Sequence, residues 1–138
     1  MKKIFLLFTV VMTLLSCSSD DNTSDSNELV GSWRLQKIVT FPGDVYNFNE
    51  SELVVYHFNE NMNLVVESNI ELDDLLSPLV TSQTVPYSFY FDTIWFDAEV
   101  VQLGNNSNNV GSFYYSNDSN ILTLSEYDGS LLTFIKIQ

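Results

Sequence analysis

The sequence predicts an all-β protein, in which an antiparallel meander closes into a small eight- or nine-stranded barrel. The first indication is composition: Ala98 is the only alanine among 138 residues, whereas Val, Ile, Thr, Phe, Tyr and Trp together supply 49. Alanine is the strongest helix former, and β-branched and aromatic residues favour strands. The second indication is spacing, because short strand-like runs are separated by turn-forming clusters at regular intervals.

The overall composition limits the class of protein. A length of 138 residues indicates one domain. A hydrophobic fraction of 45% with 14% aromatic residues excludes an intrinsically disordered chain. The formal charge of −13 excludes a nucleic-acid binder that works through a basic groove. The single cysteine, Cys17, excludes an intramolecular disulfide and a cysteine-based zinc site.

The amino-terminal residues have the pattern of an export signal. Lys2 and Lys3 precede a largely apolar run over residues 4–15. A run of this length is too short to cross a hydrocarbon core of about 30 Å as a permanent helix. It fits the apolar region of a signal peptide, which is removed from the mature protein.

The sequence Leu14-Leu15-Ser16-Cys17 ends this region and resembles the lipobox of bacterial lipoproteins. The resemblance implies that residues 1–17 are a lipoprotein signal segment that includes the lipidated cysteine. In that family the thiol is diacylated with fatty acids such as palmitate, the chain is cut before the cysteine, and the new amino terminus is acylated. The alternative is an ordinary secreted protein with an unmodified Cys17.

Residues 18–28 are predicted to form an acidic, serine-rich tether that stays unfolded. Removal of the signal would delete Lys2 and Lys3 but no acid, so the formal charge would become −15. The tether begins Ser18-Ser19-Asp20-Asp21, which resembles the acidic export tag of surface lipoproteins in certain Gram-negative groups. That resemblance implies an outer-membrane lipoprotein exposed at the cell surface. A simple soluble linker is the alternative.

The remaining residues, 29–138, are predicted to be the barrel domain. The predicted strands, in order, are residues 29–39, 53–58, 63–66, 85–91, 93–96, 99–103, 112–115, 121–124 and 131–137. Their connections are rich in Gly, Asn, Asp and Ser, as turns require. They cover residues 42–44, 59–61, 92, 104–109, 117–120 and 127–129, of which 104–109 is expected to be an open polar loop.

One segment departs from the strand pattern. Leu72, Leu75, Leu76 and Leu79 follow the i, i+3, i+4, i+7 spacing of a helix. Pro78 would disrupt a helix that ran through it. The segment is therefore predicted to be a short helix or ordered loop over one end of the barrel, where its apolar stripe could cover the mouth.

The first predicted strand contains Gly31-Ser32-Trp33, which resembles the Gly-x-Trp signature of lipocalins. The last three predicted strands are similar to those of short lipocalin-like domains found on bacterial lipoproteins. The resemblance covers residues 29–138 and implies an eight-stranded barrel with Trp33 plugging one end. It also implies a basic side chain across the indole ring, for which Lys136 is the candidate near the carboxyl terminus.

The sequence offers little for catalysis or metal binding. His57 is the only histidine, so it has no second His or Cys to form a metal site or an activated thiol. Asp92, Asp97 and Glu99 form the nearest approach to a carboxylate cluster, and solvated turn acids explain them better than a glycosidase pair. Residues 117–120 could offer oxygens to Ca²⁺, but they lack the Gly and closing Glu of an EF-hand loop. We therefore expect a non-enzyme without a metal or cofactor.

The lipocalin resemblance implies that the barrel binds a small apolar or amphipathic ligand in its interior. The lipobox resemblance implies that a lipid anchor holds the protein at the membrane. The alternative is a surface interaction or scaffold module with a side-chain-filled barrel, whose loops bind a protein or a glycan. No nucleic-acid partner is expected, and the sequence identifies no protein partner. The residues expected to face inwards and line a cavity are Leu53, Val55, Leu64, Val66, Tyr87, Phe89, Phe91, Phe113, Leu122 and Leu124.

Overall fold

Nine antiparallel strands form the domain in a computed structural model that describes residues 26–70, 77–94, 97–127 and 129–137. A 3₁₀ turn at Ser26–Leu29 leads into the first strand, and a helix, α1, covers Ser77–Val80 between the fourth and fifth strands. The strands are β1 (Gly31–Val39), β2 (Val45–Asn47), β3 (Val54–Phe58), β4 (Asn63–Ser68), β5 (Gln83–Asp92), β6 (Ala98–Asn105), β7 (Asn108–Asp118), β8 (Ile121–Ser125) and β9 (Leu131–Ile137).

The meander closes into a barrel because its first and last strands pair. β3 to β9 follow one another around the sheet, and β1 pairs with both β3 and β9. These eight strands form the closed barrel. β2 is an extra strand, which pairs with residues 37–39 of β1 where β3 no longer does. The prediction of an all-β antiparallel meander that closes into an eight- or nine-stranded barrel is confirmed.

The two ends of the barrel have different connections. At the N-terminal end, β1 begins opposite the last residues of β3 and β9, and the β3–β4, β5–β6 and β7–β8 connections lie there. At the distal end, Val39 pairs with Leu131 and Val54 pairs with Ser68. The segment between β4 and β5, which includes α1, therefore lies at the distal end.

Inward-facing side chains form the hydrophobic core of the barrel. Because successive residues of a strand point to opposite faces, each strand contributes alternate residues to the core. Buried residues on all strands except β2, together with three from the 3₁₀ turn and α1, form one hydrophobic cluster. Its members are Leu29, Trp33, Leu35, Ile38, Val54, Tyr56, Phe58, Leu64, Val66, Leu79, Val80, Val85, Tyr87, Val101, Leu103, Phe113, Leu122, Leu124, Leu132 and Phe134.

The predicted break between strands at Asp92 is misplaced. β5 runs without interruption from Gln83 to Asp92, and Thr93 and Ile94 lie in a turn, so the predicted strand over residues 93–96 is wrong for its first half. Residues 95 and 96 lie outside the described residues. The side chain of Asp92 accepts a hydrogen bond from the Ile94 nitrogen at 2.9 Å, which stabilises the turn.

The asparagine-rich segment is a tight turn rather than an open loop. Gly104 and Asn105 complete β6, and Asn108 starts β7, so only two residues remain in the turn. The side-chain oxygen of Asn105 accepts hydrogen bonds from the backbone nitrogens of Ser107 and Asn108, at 2.9 and 3.1 Å. These bonds replace the solvent contacts of an open loop.

The leucine-rich segment is helical in the part that the structure describes. Leu79 and Val80, in α1, are buried in the core cluster. The hydroxyl of Tyr56 donates a hydrogen bond to the carbonyl of Leu79, which joins α1 to β3. Leu72, Leu75 and Leu76 lie outside the described residues.

Candidate functional site

Contacting aromatic rings occupy the barrel interior. Phe134 and Tyr56 have ring centroids 4.8 Å apart, and Phe58 and Tyr87 are 5.2 Å apart, edge to face. Tyr87 then contacts Phe89 at 5.8 Å. Such tilted and edge-to-face pairs are the favoured geometries of packed aromatic side chains. The rings span the barrel from β9 to β5 and stabilise its interior.

The residues expected to line a cavity separate into two groups. The core cluster contains six of them, Leu64, Val66, Tyr87, Phe113, Leu122 and Leu124, and Phe89 is partly buried against it. The structure places the other three, Leu53, Val55 and Phe91, outside the core cluster.

These three residues lie outside the core for two physical reasons. β3 points Val54, Tyr56 and Phe58 inwards, so the inward face of this strand is displaced by one residue from the prediction. Leu53, which precedes β3, is 38% exposed, and Val55 is buried on the outer face. Phe91 is 60% exposed because β5 extends past its pairing with β4, which ends at Pro86.

Trp33 is fully buried near the N-terminal end of the barrel, and its indole nitrogen donates to the Leu29 carbonyl at 2.8 Å. The ammonium nitrogen of Lys136 lies 5.2 Å from the centroid of the indole ring. Gly31 lies beside this lysine, since a Cβ at Gly31 would be in ordinary van der Waals contact with Lys136 Cε at 3.5 Å. Gly31, Trp33 and Lys136 therefore pack together at the N-terminal end of the barrel.

A polar groove of about 490 Å³ lies on the outer surface of β5, β6 and β7, towards the distal end. It is a candidate binding site that sequence reasoning missed. The backbone of Gly104 forms part of its wall, where a Cβ would approach the Asn108 carbonyl oxygen to 1.9 Å. The lining residues are Ser88, Gln102, Gly104, Asn105, Asn106 and Asn109.

Hydrogen bonds between side chains fix the floor of the groove. Ser112 Oγ donates to Gln102 Oε1 at 2.6 Å, and Gln102 Nε2 donates to Asn109 Oδ1 at 2.5 Å. This chain crosses from β6 to β7 and holds the amide of Gln102 in one orientation. The amide nitrogen of Asn109 takes no part in these two bonds. The groove therefore presents oriented amides, which both donate and accept hydrogen bonds.

Two tyrosines lie on the same outer face as the groove. Ser88, Gln102 and Ser112 are register partners across β5, β6 and β7, and two residues along each strand the partners are Tyr90, Val100 and Tyr114. Residues two apart share a face. Tyr90 and Tyr114 are each 41% exposed, whereas the outward-facing Val100 between them is fully buried. The face therefore combines a polar groove with an aromatic border.

Neutral residues line the groove, although the chain carries 18 Asp and Glu against 5 Lys and Arg. A charged ligand would find no counter-ion among the lining side chains, and burying an unpaired charge is costly. Hydrogen bonding to uncharged groups is the chemistry that this surface offers.

His57 lies on the outer face of β3, where both ring nitrogens have polar neighbours. Ser32 Oγ is 2.7 Å from Nδ1, and the Glu67 carboxylate is 3.5 Å from Nε2. The order serine, histidine, carboxylate is that of a hydrolase triad, but Ser32 lies within β1 between its register partners His57 and Ile137. A catalytic triad also needs hydrogen-bond donors for an oxyanion. The backbone around Ser32 pairs with β3 on one side and β9 on the other, so it is engaged in the sheet. We assign the three residues a cross-strand structural role.

Two of the three carboxylates considered for catalysis accept hydrogen bonds within the fold. Glu99 accepts a hydrogen bond from the Tyr115 hydroxyl at 2.6 Å, and Asp92 accepts one from the Ile94 nitrogen. The turn considered for Ca²⁺ has only Ser119 and Asn120 at its tip, and Asn117 donates to the Glu28 carbonyl. The described residues contain no group of three metal-ligating side chains close enough to hold an ion.

Over the ranges that the structure describes, no helix has the length and apolar character to span a membrane. Comparisons with models of protein families, with curated proteins and with solved structures found no match to this chain. The fold and the groove are therefore the basis for assigning a function. They define an eight-stranded antiparallel β-barrel, extended by one strand, with a neutral polar groove on its outer wall.

Proposed function

We propose that this chain is a lipid-anchored envelope protein that binds a neutral glycan on the outer wall of its barrel, without catalysis. The observation that carries this proposal is the groove, whose lining residues are uncharged and mostly amides. The lipobox-like residues 14–17 and the acidic tether behind them support the anchor. An anchored binder at the cell surface would encounter glycans directly.

The chemistry of a sugar matches this surface. Sugar hydroxyls donate and accept hydrogen bonds, and so do the amides of Gln102, Asn105 and Asn109. The C–H face of a sugar ring is apolar and can lie on an aromatic ring, for which Tyr90 and Tyr114 are exposed beside the groove. Few, well-oriented polar groups of this kind fix a ligand's orientation in a site.

Contacts between inward-facing side chains support an external site over an internal one. The lipocalin resemblance favours an apolar ligand inside the barrel, yet the inward-facing residues there are in mutual contact, as the rings of Tyr56 and Phe134 illustrate. An eight-stranded barrel is just wide enough for its own side chains to fill it. Carriage of an apolar ligand would require these side chains to move apart.

The test is a titration of the full chain with neutral oligosaccharides of glucose and of N-acetylglucosamine, followed by calorimetry. We expect saturable binding to at least one of them. Asn109→Asp should weaken that binding at least about tenfold, or about 1.4 kcal/mol, because the carboxylate keeps the hydrogen bond from Gln102 Nε2 but loses the N–H donors that Asn109 offers to a sugar hydroxyl. Asn61→Asp is the matched control, because Asn61 is exposed in the turn between β3 and β4.

Two results would overturn the proposal: no saturable binding to either sugar series, or equal weakening by Asn109→Asp and Asn61→Asp. A fluorescent fatty-acid probe provides the opposing test. Saturable uptake of the probe that Phe89→Asp abolishes, with the fold unchanged, would assign the ligand to the interior. We expect the probe to show no saturation.

A further inference from the structure

The N-terminal end of the barrel carries an exposed apolar projection. β5 pairs with β4 only as far as Pro86, so its last residues continue past β4 in a ribbon with β6. Phe91 near the end of this ribbon is 60% exposed, and Ile94 in the following turn is 76% exposed. We name Phe91 and Ile94 the apolar tip. Side chains of this kind project into water only at a cost, which a partner would relieve.

The chain that leads to the predicted anchor enters at the same end. The side-chain amide of Asn117, near the end of β7, donates a hydrogen bond to the Glu28 carbonyl at 2.8 Å, and the carbonyl of the buried Leu29 accepts one from Trp33 Nε1. β7 is the neighbour of β6, whose first residues pair with the end of β5. The entry of the chain and the apolar tip therefore share one end of the barrel.

The length of chain before the barrel restricts its orientation. Nine residue steps separate Cys17 from Ser26, and even fully extended they reach only about 30 Å. β1 runs between the two ends of the barrel, and its nine residues cover about 30 Å along the strand, or about 23 Å along the barrel axis at a strand tilt of about 35–45°. With the distal end against the bilayer, the tether would use most of its length to run along the outside of the barrel. That arrangement has a high entropic cost, and the N-terminal end is the one held near the lipid.

We propose that the apolar tip inserts into the interface of the bilayer that holds the Cys17 lipid. This proposal depends on the lipid anchor of the proposed function. Phe91 and Ile94 would enter the headgroup boundary, while Asp92 and Asp97 stay at its aqueous side. The chain's strong negative charge favours a zwitterionic over an anionic lipid surface. The lipid chains hold the protein on the membrane, and the tip sets its orientation. The groove on the distal side then faces away from the membrane.

The experiment uses the full lipidated chain in phosphatidylcholine vesicles, with an environment-sensitive fluorophore on a single introduced cysteine. Ile94→Cys places it at the tip, and Ser107→Cys places it in the distal β6–β7 turn. Acylated Cys17 does not react with the label. Spin-labelled phosphatidylcholine in the same vesicles quenches a fluorophore that contacts lipid. We expect several-fold stronger quenching at residue 94 than at residue 107.

A matched pair of second substitutions tests the apolar contact. In the Ile94→Cys chain, Phe91→Ser should reduce the quenching. Phe41→Ser should leave it unchanged, since Phe41 is also strongly exposed but lies at the distal end. Both phenylalanines are at the surface, so neither change should prevent folding.

The outcomes separate the two proposals. A chain that fails to float with the vesicles lacks the anchor, which overturns the lipoprotein assignment and the orientation with it. A chain that floats but shows equal quenching at both labels, or stronger quenching at residue 107, overturns the orientation alone. Equal effects of Phe91→Ser and Phe41→Ser would also overturn it.

Discussion

Lys136 and Trp33 are direct register partners across the strand pair that closes the barrel, with the lysine ammonium 5.2 Å from the centroid of the indole ring. The indole is fully buried, whereas Lys136 remains exposed to solvent. The pair therefore marks the boundary between the core and the N-terminal rim. It also connects the first barrel strand with the last.

We predict that Trp33→Ala will lower the free energy of unfolding by about 3–5 kcal/mol, the usual range for removing a large buried aromatic side chain. Lys136→Met should lower it by only about 0.5–1 kcal/mol, the value of an exposed cation–π contact. Urea denaturation of both variants provides the measurement. A loss below 1 kcal/mol for Trp33→Ala would contradict the contribution expected from the burial of its side chain.

We predict that stability declines at alkaline pH because of Tyr56. Burial first, and the charge of Glu126 second, raise the pKa of Tyr56 well above its ordinary value of 10. Above pH 10 the unfolded chain loses the proton that the folded chain retains, so the free energy of unfolding falls as the pH rises. For one such group, the free energy of unfolding falls by at most about 1.4 kcal/mol per pH unit.

Tyr56→Phe isolates this contribution. Burial also raises the pKa of Tyr87, so the variant should keep a shallower alkaline decline rather than none. At pH 7 it should be less stable than the wild type by about 1–3 kcal/mol, because the Leu79 carbonyl loses its hydrogen-bond donor. Urea midpoints at pH 9 and pH 11 measure both effects. Parallel declines in the two proteins would rule out Tyr56 as the cause.

We predict that Gly104→Ala is more damaging than Gly43→Ala. Both glycines have positive φ, +88° and +131°, so both substitutions introduce backbone strain of about 1–3 kcal/mol. Only at Gly104 would the new Cβ meet backbone, 1.9 Å from the Asn108 oxygen, whereas nothing lies within 4 Å at Gly43. The clash should add about 1–3 kcal/mol. Thermal unfolding of the two variants compares them directly, and equal melting temperatures would be inconsistent with a tight β6–β7 turn.

We predict that the wild-type chain partitions into the membrane fraction and that Cys17→Ala does not. Stable attachment needs two acyl chains or more, since one gives only marginal binding. Detergent phase separation and mass spectrometry of the amino-terminal peptide provide the measurements. An unmodified Cys17 in the mature protein would exclude the lipoprotein assignment.

The strand pattern was predictable where one face of a strand is clearly more apolar than the other. Leu122 and Leu124 alternate with Ile121 and Thr123, and the structure buries both leucines. In β3 the run Leu53-Val54-Val55-Tyr56 is apolar on both faces, so alternation alone could not select the inward one. The register with β1 selects it, because Tyr56 lies opposite Trp33.

The groove could not be predicted because it depends on the exact register between neighbouring strands. In the sequence, Gln102 is a polar residue of a predicted strand and Asn109 is a polar residue of a predicted loop. They meet because β6 and β7 form a tight hairpin with an irregularity in register after Leu103. The signal in the sequence was Gly104 followed by Asn105, which favours a bulge and a side-chain-stabilised turn over an open loop.

Closure through β1 and β9 has a consequence for how the chain acquires its structure. The two strands are about a hundred residues apart in the sequence, so their pairing carries the entropy of closing a loop of that length. Contacts of such long range slow folding. Until residues 131–137 have left the ribosome, β1 lacks the partner that covers one of its two edges. A nascent chain therefore stays open until its last strand is made, and the loss of the β9 residues would leave the edges of β1 and β8 unpaired and prone to aggregation.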